Sequence, residues 1–159
     1  MSFPLRCEIT KNNRLFLVTG SPTNENIDEY ITELKKRNIN IVIKLSEKNL
    51  YDTGKFKQND IEFIHMEIED GNIPNEENIL KLIEIGNEYD LICVHCTAGL
   101  GRAPLVMSLL WILQFNQDPH DTAEEIRSLI PKCLNKFQVQ FIIDFKRKKY
   151  IKKKGCILM

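Results

Sequence analysis

The chain has 159 residues, of which 43% are hydrophobic and 28% are charged, and its formal net charge is zero. This length and composition are typical of one soluble globular domain with a substantial core, and they argue against a disordered or fibrous protein. No apolar run is long enough to span a bilayer, and the N-terminus lacks a signal-peptide stretch, so we expect a cytosolic protein. The five cysteines are an odd number and argue against a disulfide framework.

Positive charge is concentrated near the C-terminus. Residues 144–154 contain seven basic residues and one acidic residue, so the rest of the chain carries a net charge of −6. Such a segment is typical of contact with an anionic surface. Because no repeat or Pro/Gly/Ser-rich linker divides the chain, we predict one domain over residues 1–145 and a polybasic tail over residues 146–159.

Apolar, β-rich runs alternate with helical patterns along the chain. The predicted strands are 15–18, 39–45, 61–68 and 91–95, and the predicted helices are 23–37, 74–89, 103–115, 121–129 and 137–149. The helix at 103–115 is almost wholly apolar, which predicts a buried central helix. The alternation predicts an α/β fold, in which helices flank a central, mostly parallel sheet of four to five strands. Ligands of such sheets bind beyond the carboxyl ends of the strands.

The run HCTAGLGR at residues 95–102 lies between the last predicted strand and the apolar helix. Glycines let successive backbone amides turn inward around an anion, and a helix N-terminus adds roughly half a positive charge. Arg102 adds a planar fork for two oxygens of a phosphate. The same positive surroundings favour the thiolate of Cys96, which could attack phosphorus in line and form a phosphocysteine. The predicted phosphate loop consists of Thr97, Ala98, Gly99, Leu100, Gly101 and Arg102.

Two other interpretations of Cys96 remain open from these residues. A cysteine after an apolar strand is commonly a small buried hydrophobe. The pair Cys93 and Cys96 also matches a Cys-x-x-Cys redox motif or half of a zinc site. We favour neither, because Cys93 lies inside the predicted strand and no second cysteine pair completes a zinc site. The prediction therefore includes no metal and no cofactor.

A phosphatase of this type also needs a general acid on a mobile loop to protonate the leaving oxygen. Asp70, in the turn before Gly71, is the first candidate; Glu69 is the second and Glu67 the third. The alternative interpretation of this segment is an acidic, solvated turn without a catalytic role.

The run from His95 to Arg102 matches the HCxxGxxR signature of cysteine-dependent protein tyrosine phosphatases. The longer run VHCTAGLGRAP resembles the phosphatases of regenerating liver, the prenylated PRL subfamily, and the resemblance extends over nearly the whole chain through SPTN, YDT, EDG and the C-terminal CILM. It implies a fold like that of dual-specificity phosphatases. It also implies that Cys96 is the nucleophile, Arg102 the phosphate ligand and Asp70 the acid, with Glu69 its acidic neighbour. We expect His95 and Ala103, which flank the loop, to support it.

Three departures from the wider family pattern affect these expectations. Met66 and Glu67 replace a Trp-Pro pair before the acid, so the closure of this loop can differ. Ser46 replaces a cysteine that, in many relatives, forms a reversible regulatory disulfide with the nucleophile, so that disulfide is not expected at this position; Cys93 and Cys133 stay open as substitute partners. Ala103 replaces a hydroxyl that helps the cysteine sulfur leave, so we expect slow hydrolysis of the phosphocysteine.

The last four residues, CILM, form a C-a-a-X pattern that predicts farnesylation of Cys156. One lipid chain binds membranes weakly, and the basic residues upstream supply the usual second signal. We therefore expect a peripheral protein on the cytoplasmic face of plasma and endosomal membranes. A nucleic-acid patch is disfavoured because no aromatic stacking platform accompanies the basic run.

The predicted function is that of a membrane-anchored phosphatase of the dual-specificity type, acting on phosphotyrosine in proteins. The resemblance implies an alternative, a phosphate-switched binding module for CBS-pair magnesium transport mediators, and it raises the possibility of a homo-oligomer. A phosphoinositide phosphatase is less favoured, because the variable loop positions 97, 98 and 100 contain no lysine.

Overall fold

The computed structural model describes residues 3–154, and within them five strands form a single sheet. The strands are β1 (Leu5–Lys11), β2 (Arg14–Thr19), β3 (Ile41–Lys44), β4 (Glu62–His65) and β5 (Leu91–His95). The helices are α1 (Ile27–Lys36), α2 (Gly54–Gln58), α3 (Glu76–Glu88), α4 (Arg102–Phe115), α5 (Pro119–Leu129), α6 (Lys136–Ile143) and α7 (Arg147–Lys154).

The strand order is β1-β2-β5-β3-β4, with parallel pairing throughout except that β1 runs antiparallel to β2. The predicted α/β fold with a mostly parallel sheet is confirmed. Strand β1 is not among the predicted elements. It joins β2 through a two-residue turn in which Asn12 and Asn13 both have positive φ, 50° and 65°, a conformation that asparagine tolerates and that suits the twist of a hairpin.

The sheet separates two apolar layers. On one side, α1 and α2 bury Tyr30 and Phe56 against the sheet. On the other side, α4 is surrounded by β2, β5, α3, α5 and α6, which is why it has no polar face. Trp111 near its end is fully buried. The expectation of a buried central helix at 103–115 is confirmed.

The predicted helix at 137–149 is two helices, α6 and α7, joined by a turn at residues 144–146. The turn brings Tyr150 back onto Phe145, where the rings stack with centroids 5.0 Å apart. Lys153 of α7 forms an ion pair with Glu76 at the start of α3. Within residues 3–154, no helix combines the length and the apolar character needed to cross a membrane. Cys156, the predicted lipidation site, lies outside the described residues.

Four parallel strands end level with one another. Thr19 of β2 and Lys44 of β3 both pair in register with His95, the last residue of β5, and His65 of β4 pairs with Lys44. The chain leaves the sheet at this edge after each of these strands, and the predicted nucleophile, loop and acid lie in the segments that follow β4 and β5.

Candidate active site

Residues 96–101 connect β5 to α4 beyond the carboxyl end of the sheet. Cys96 is buried, and the backbone N–H of Gly99 donates a hydrogen bond to its Sγ at 3.3 Å. Gly101 is the N-cap of α4, and Arg102 is the first residue of that helix. The structure therefore brings the predicted nucleophile, the turning backbone and the arginine together at one helix N-terminus, as the motif predicts.

Gly99 occupies a position that admits no side chain. Its φ is +78°, and a Cβ atom there would lie 2.8 Å from the carbonyl oxygen of Thr19 and 2.9 Å from the amide nitrogen of Gly20. Both obstacles are backbone atoms, which cannot rotate away. The close approach of the loop to the end of β2 thus requires glycine.

Two carbonyl groups of the loop accept hydrogen bonds from residues in the N-terminal part of the chain. The backbone N–H of Ser21 donates to the carbonyl of Thr97 at 2.9 Å, and Nε of Arg6 donates to the carbonyl of Ala98 at 2.9 Å. With these carbonyls bonded to the N-terminal segments, the amide of Gly99 points toward the sulfur. The β1–β2 hairpin therefore orients the loop amides, a role that the sequence motif does not reveal.

Arg102 is 3% exposed and its two terminal nitrogens face different partners. Nη1 donates to the carbonyl of Ile68 at 2.9 Å and to Oε2 of Glu47 at 3.1 Å. Nη2 lies 3.5 Å from Oδ1 of Asp70 and 3.4 Å from Oγ1 of Thr97. Nη1 is thus anchored by the protein, while Nη2 lies between the phosphate loop and the predicted acid.

Asp70 lies on the segment that follows β4, with 86% of its side chain exposed. Of the three carboxylates considered as the general acid, it is the one that contacts Arg102 in the part of the chain described here. Glu67 instead lies 3.9 Å from Nε2 of His65, and Glu69 is exposed in the turn. The structure thus brings Asp70, rather than Glu67 or Glu69, to the arginine that closes the loop.

His95 is a fully buried ring with two defined partners. Nδ1 lies 3.1 Å from the carbonyl oxygen of Cys96, and Nε2 lies 2.7 Å from the hydroxyl of Tyr51. Since a carbonyl only accepts, Nδ1 carries the proton and Nε2 accepts from the hydroxyl. Burial lowers the pKa of His95 from 6.5 to about 4, so the ring is neutral at neutral pH.

Comparison with known proteins agrees with this geometry. A family described as "Polymorphic toxin system, DSP-PTPase phosphatase" matches residues 19–117. The PRL-1 phosphatase of Drosophila melanogaster is 31% identical over 146 residues, which cover 88% of this chain and 82% of that protein. The protein tyrosine phosphatase type IVA 3 of Bos taurus is 26% identical and covers 96% of this chain and 90% of its own length. The chain belongs to the PRL subfamily of protein tyrosine phosphatases.

Solved structures place this PRL phosphatase in the dual-specificity phosphatase fold. A Leishmania major protein assigned as a protein tyrosine phosphatase superimposes with a TM-score of 0.73 at 26% identity, covering 92% of this chain and all of that one. A kinase-associated phosphatase superimposes with a TM-score of 0.72 at 18% identity, covering 93% and 96% of the two chains, and supports the fold alone. The predicted fold and the predicted enzyme class are both confirmed.

The redox and zinc alternatives receive no support from the positions of the thiols. Cys93 packs on the α1 side of the sheet and Cys96 on the α4 side. Burial raises the pKa of the Cys93 thiol to about 11. Among the described residues, the His, Cys, Asp and Glu side chains close enough to share an ion are His120, Asp121 and Glu124, which are exposed on α5.

Two residues of the PRL site are absent from the sequence-based prediction. Glu47 bonds to Arg102, and Lys44 is completely buried at the end of β3. Burial lowers the pKa of Lys44, while the carboxylates of Glu67 and Glu47 act in the opposite direction. A lysine that interrupts the apolar run IVIKL at the end of a strand is the signal that could have identified it.

Proposed function

We propose that this PRL phosphatase hydrolyses phosphotyrosine-type monoesters through a covalent phosphocysteine on Cys96. The observation that carries the proposal is the bond from the Gly99 amide to Sγ of Cys96, within a loop whose end is closed by Arg102. A sulfur that already accepts from an inward amide lies at the floor of an anion site.

Phosphate binding uses the loop amides and the free side of the arginine. Because Glu47 and the Ile68 carbonyl engage Nη1, the guanidinium plane is fixed before the substrate arrives. Nη2, now beside Asp70 and Thr97, is then available to a phosphate oxygen. A fixed donor costs little reorganisation when charge develops on the phosphoryl oxygens.

In the first chemical step, the thiolate of Cys96 attacks phosphorus, so that the P–S bond forms as the ester P–O bond breaks. The carboxyl group of Asp70 gives its proton to the leaving oxygen, which departs as a phenol. In the second step, Asp70 takes a proton from water, the water oxygen attacks phosphorus, and the thiolate and inorganic phosphate are released.

The second step is the slow one. Ala103, the residue after Arg102, is completely buried and has no hydroxyl to donate to the departing sulfur. Removing a donor of this kind costs about 2–4 kcal/mol of barrier, on the order of a hundredfold or more in rate. The phosphocysteine therefore accumulates.

This accumulation also supports a second candidate function, a phosphate-switched binding module. A persistent phosphocysteine changes the charge at the mouth of the site between two long-lived states, and a partner such as a CBS-pair magnesium transport mediator would dock on one of them. A tight stoichiometric complex that is lost on phosphorylation of Cys96 would favour this role over hydrolysis.

Membrane anchoring is the third part of the proposal. The basic residues of the 146–154 segment support contact with anionic lipid, and a farnesyl group on Cys156 would supply the second signal. We expect Cys156→Ser to release the protein from membranes in cells; persistent membrane association of that variant would contradict the lipidation.

Intact-protein mass spectrometry after mixing the enzyme with an aryl phosphate tests the chemistry directly. We expect an adduct with the mass of one phosphoryl group that decays slowly, and that is absent from Cys96→Ser. Rapid product release without an adduct would retain the phosphatase and contradict the slow second step. If neither an adduct nor a product is detected, the site does not carry out this reaction, and the binding module becomes the favoured function.

A further inference from the structure

Lys44 is a buried cation that the proposed reaction does not use. Its side chain is 0% exposed, and Nζ donates a hydrogen bond to the backbone carbonyl of Ser46. The same Nζ lies 3.3 Å from Nε2 of His65, which is in register with Lys44 on the neighbouring strand. Lysine is rarely buried completely unless its ammonium group is paired, so these contacts compensate a substantial desolvation cost.

The Ser46 carbonyl joins two segments of the chain. Besides accepting from Lys44, its oxygen lies 2.9 Å from Nε2 of His65. Ser46 belongs to the segment after β3, whereas His65 ends β4 and immediately precedes the segment that carries the proposed acid. The Lys44 and His65 side chains therefore connect residues 45–50 to residues 66–71 through one backbone oxygen.

The two connected segments converge on Arg102. Glu47, the residue after Ser46, bonds to Nη1 of Arg102, and Asp70, five residues after His65, lies beside Nη2. A change in the orientation of the Ser46 carbonyl would also move Glu47, because the two share a peptide bond. Because both segments contact the same guanidinium group, their relative position sets where Asp70 lies over the phosphate loop.

Backbone bonds between these segments do not depend on the Lys44 side chain. The N–H of Met66 donates to the Lys44 carbonyl at 2.8 Å, and the N–H of Ile68 donates to the Leu45 carbonyl at 2.9 Å. These bonds continue the β3–β4 pairing and keep the two segments adjacent. Loss of the side-chain contacts would thus loosen the segments without separating them.

We propose that Lys44 and His65 are positioning residues that hold the Asp70 segment and Glu47 in the arrangement needed for protonation of the leaving group. The inference deepens the proposed function, since it rests on Asp70 acting as the general acid. Among residues 3–154, neither Lys44 nor His65 forms a hydrogen bond to Cys96 or Arg102. They act through Ser46, Glu47 and Asp70.

Leaving-group dependence in the full-length protein tests this role. Two aryl phosphates are compared, one with a poor phenol leaving group and one with a good nitrophenol leaving group, by the rate of phosphocysteine formation in a single turnover. We expect Lys44→Met to slow the reaction of the poor leaving group by about tenfold or more, a part of the roughly 10²- to 10⁴-fold that a general acid supplies, and to change the reaction of the good one little. Asp70→Asn should show the same pattern.

Additional variants separate positioning from a general structural effect. Lys44→Arg should restore most of the lost rate, because it returns a cation that can donate to the Ser46 carbonyl. Adding Lys44→Met to Asp70→Asn should cause no further loss, since both changes remove the same proton transfer. Lys48→Met is the matched control, because Lys48 is an exposed lysine on the same segment, and it should keep the wild-type ratio of rates.

Equal slowing of both substrates by Lys44→Met, or an additive loss in the double variant, would overturn the positioning role. If Lys44→Met does not fold, His65→Gln and His65→Leu replace it: glutamine can still donate to the Ser46 carbonyl and should keep the ratio, whereas leucine should lose it. If Asp70→Asn itself shows no leaving-group effect, the proposed acid is wrong and this inference fails with it. If only the Lys44 and His65 variants lack the effect, the acid stands and the positioning role fails.

Discussion

The hydroxyl of Tyr51 lies 2.7 Å from Nε2 of His95, and both side chains are buried where β5 enters the phosphate loop. The other ring nitrogen of His95 donates to the carbonyl of Cys96. Only the neutral imidazole satisfies both partners without burying a charge, which is why the pKa of His95 falls to about 4. His95, the residue before the proposed nucleophile, is therefore a neutral side chain that connects the sheet to the loop.

The lowered pKa of His95 makes the free energy of unfolding depend on pH between about 4 and 6.5. The unfolded chain takes up a proton at His95 near the ordinary pKa of 6.5, whereas the folded protein resists protonation down to about pH 4. The contribution is therefore complete above pH 6.5 and is lost as pH falls toward 4, by about 3 kcal/mol over the window. Denaturant unfolding at pH 7.5, 6, 5 and 4.5 measures it.

The matched variant is His95→Gln, which keeps a polar side chain and removes the titrating group. It should be less stable than the wild type at pH 7.5, and its stability should fall less steeply between pH 6.5 and 4.5. All other titratable groups are shared, so the difference between the two slopes isolates His95. Parallel slopes would contradict a depressed pKa at this position.

Ala103→Ser should raise steady-state turnover. The introduced hydroxyl would lie next to Arg102 at the start of α4 and could donate to the departing sulfur, lowering the barrier of the second step by about 2 kcal/mol or more, which is roughly thirtyfold or more in rate. Turnover of an aryl phosphate and the lifetime of the phosphocysteine should change together. Unchanged turnover with a folded variant would remove Ala103 as the cause of the slow step.

Gly99→Ala and Gly101→Ala form a matched pair that tests the left-handed turn in the loop. At Gly99 an added methyl group meets backbone atoms at 2.8 and 2.9 Å with φ at +78°, whereas at Gly101 it meets the side chain of Gln138 at 3.4 Å. We expect Gly99→Ala to lower the free energy of unfolding by about 1–3 kcal/mol and Gly101→Ala by clearly less. Equal losses in thermal or chemical unfolding would show that the close approach to β2 is not the determining contact.

Two buried serines should respond to alanine in opposite ways. Oγ of Ser46 is buried without a hydrogen-bond partner among residues 3–154, whereas Oγ of Ser108 donates to the carbonyl of Pro104 at 2.8 Å. Ser46→Ala removes an unpaired polar atom and should hold or raise stability by up to about 1 kcal/mol, while Ser108→Ala should lower it by a similar amount. A clear loss in Ser46→Ala would reveal a partner of its hydroxyl.

The sequence predicts the elements whose structure is determined by neighbouring residues in the chain. Helix α4 is apolar on every face because it is enclosed on every face, and the glycines of the loop are spaced as the turning backbone requires. In contrast, α2 has only five residues, too few for a helical period to appear, and β1 alternates half-exposed side chains around Cys7 without an apolar run.

The positions of the residues that support the site depend on the order of the strands in the sheet, which cannot be derived from the sequence patterns. Lys44 reads as the end of an apolar strand, and it becomes a buried cation because β3 lies between β4 and β5. Glu47 meets Arg102 from 55 positions away for the same reason. The loop motif is local and could be predicted, whereas the contacts that orient it are between distant segments and could not.

Strand β5, which directly precedes Cys96, is the last of the described strands to be synthesised, yet it lies in the middle of the sheet. Strands β1 and β2 form one pair and β3 and β4 another, and β5 joins the two pairs. During synthesis, the inner edges of the two strand pairs therefore remain unpaired until residues 91–95 have been made. A chain that stops before these residues would expose two open edges, and we expect chaperones and proteases to recognise it rather than a smaller folded protein to accumulate.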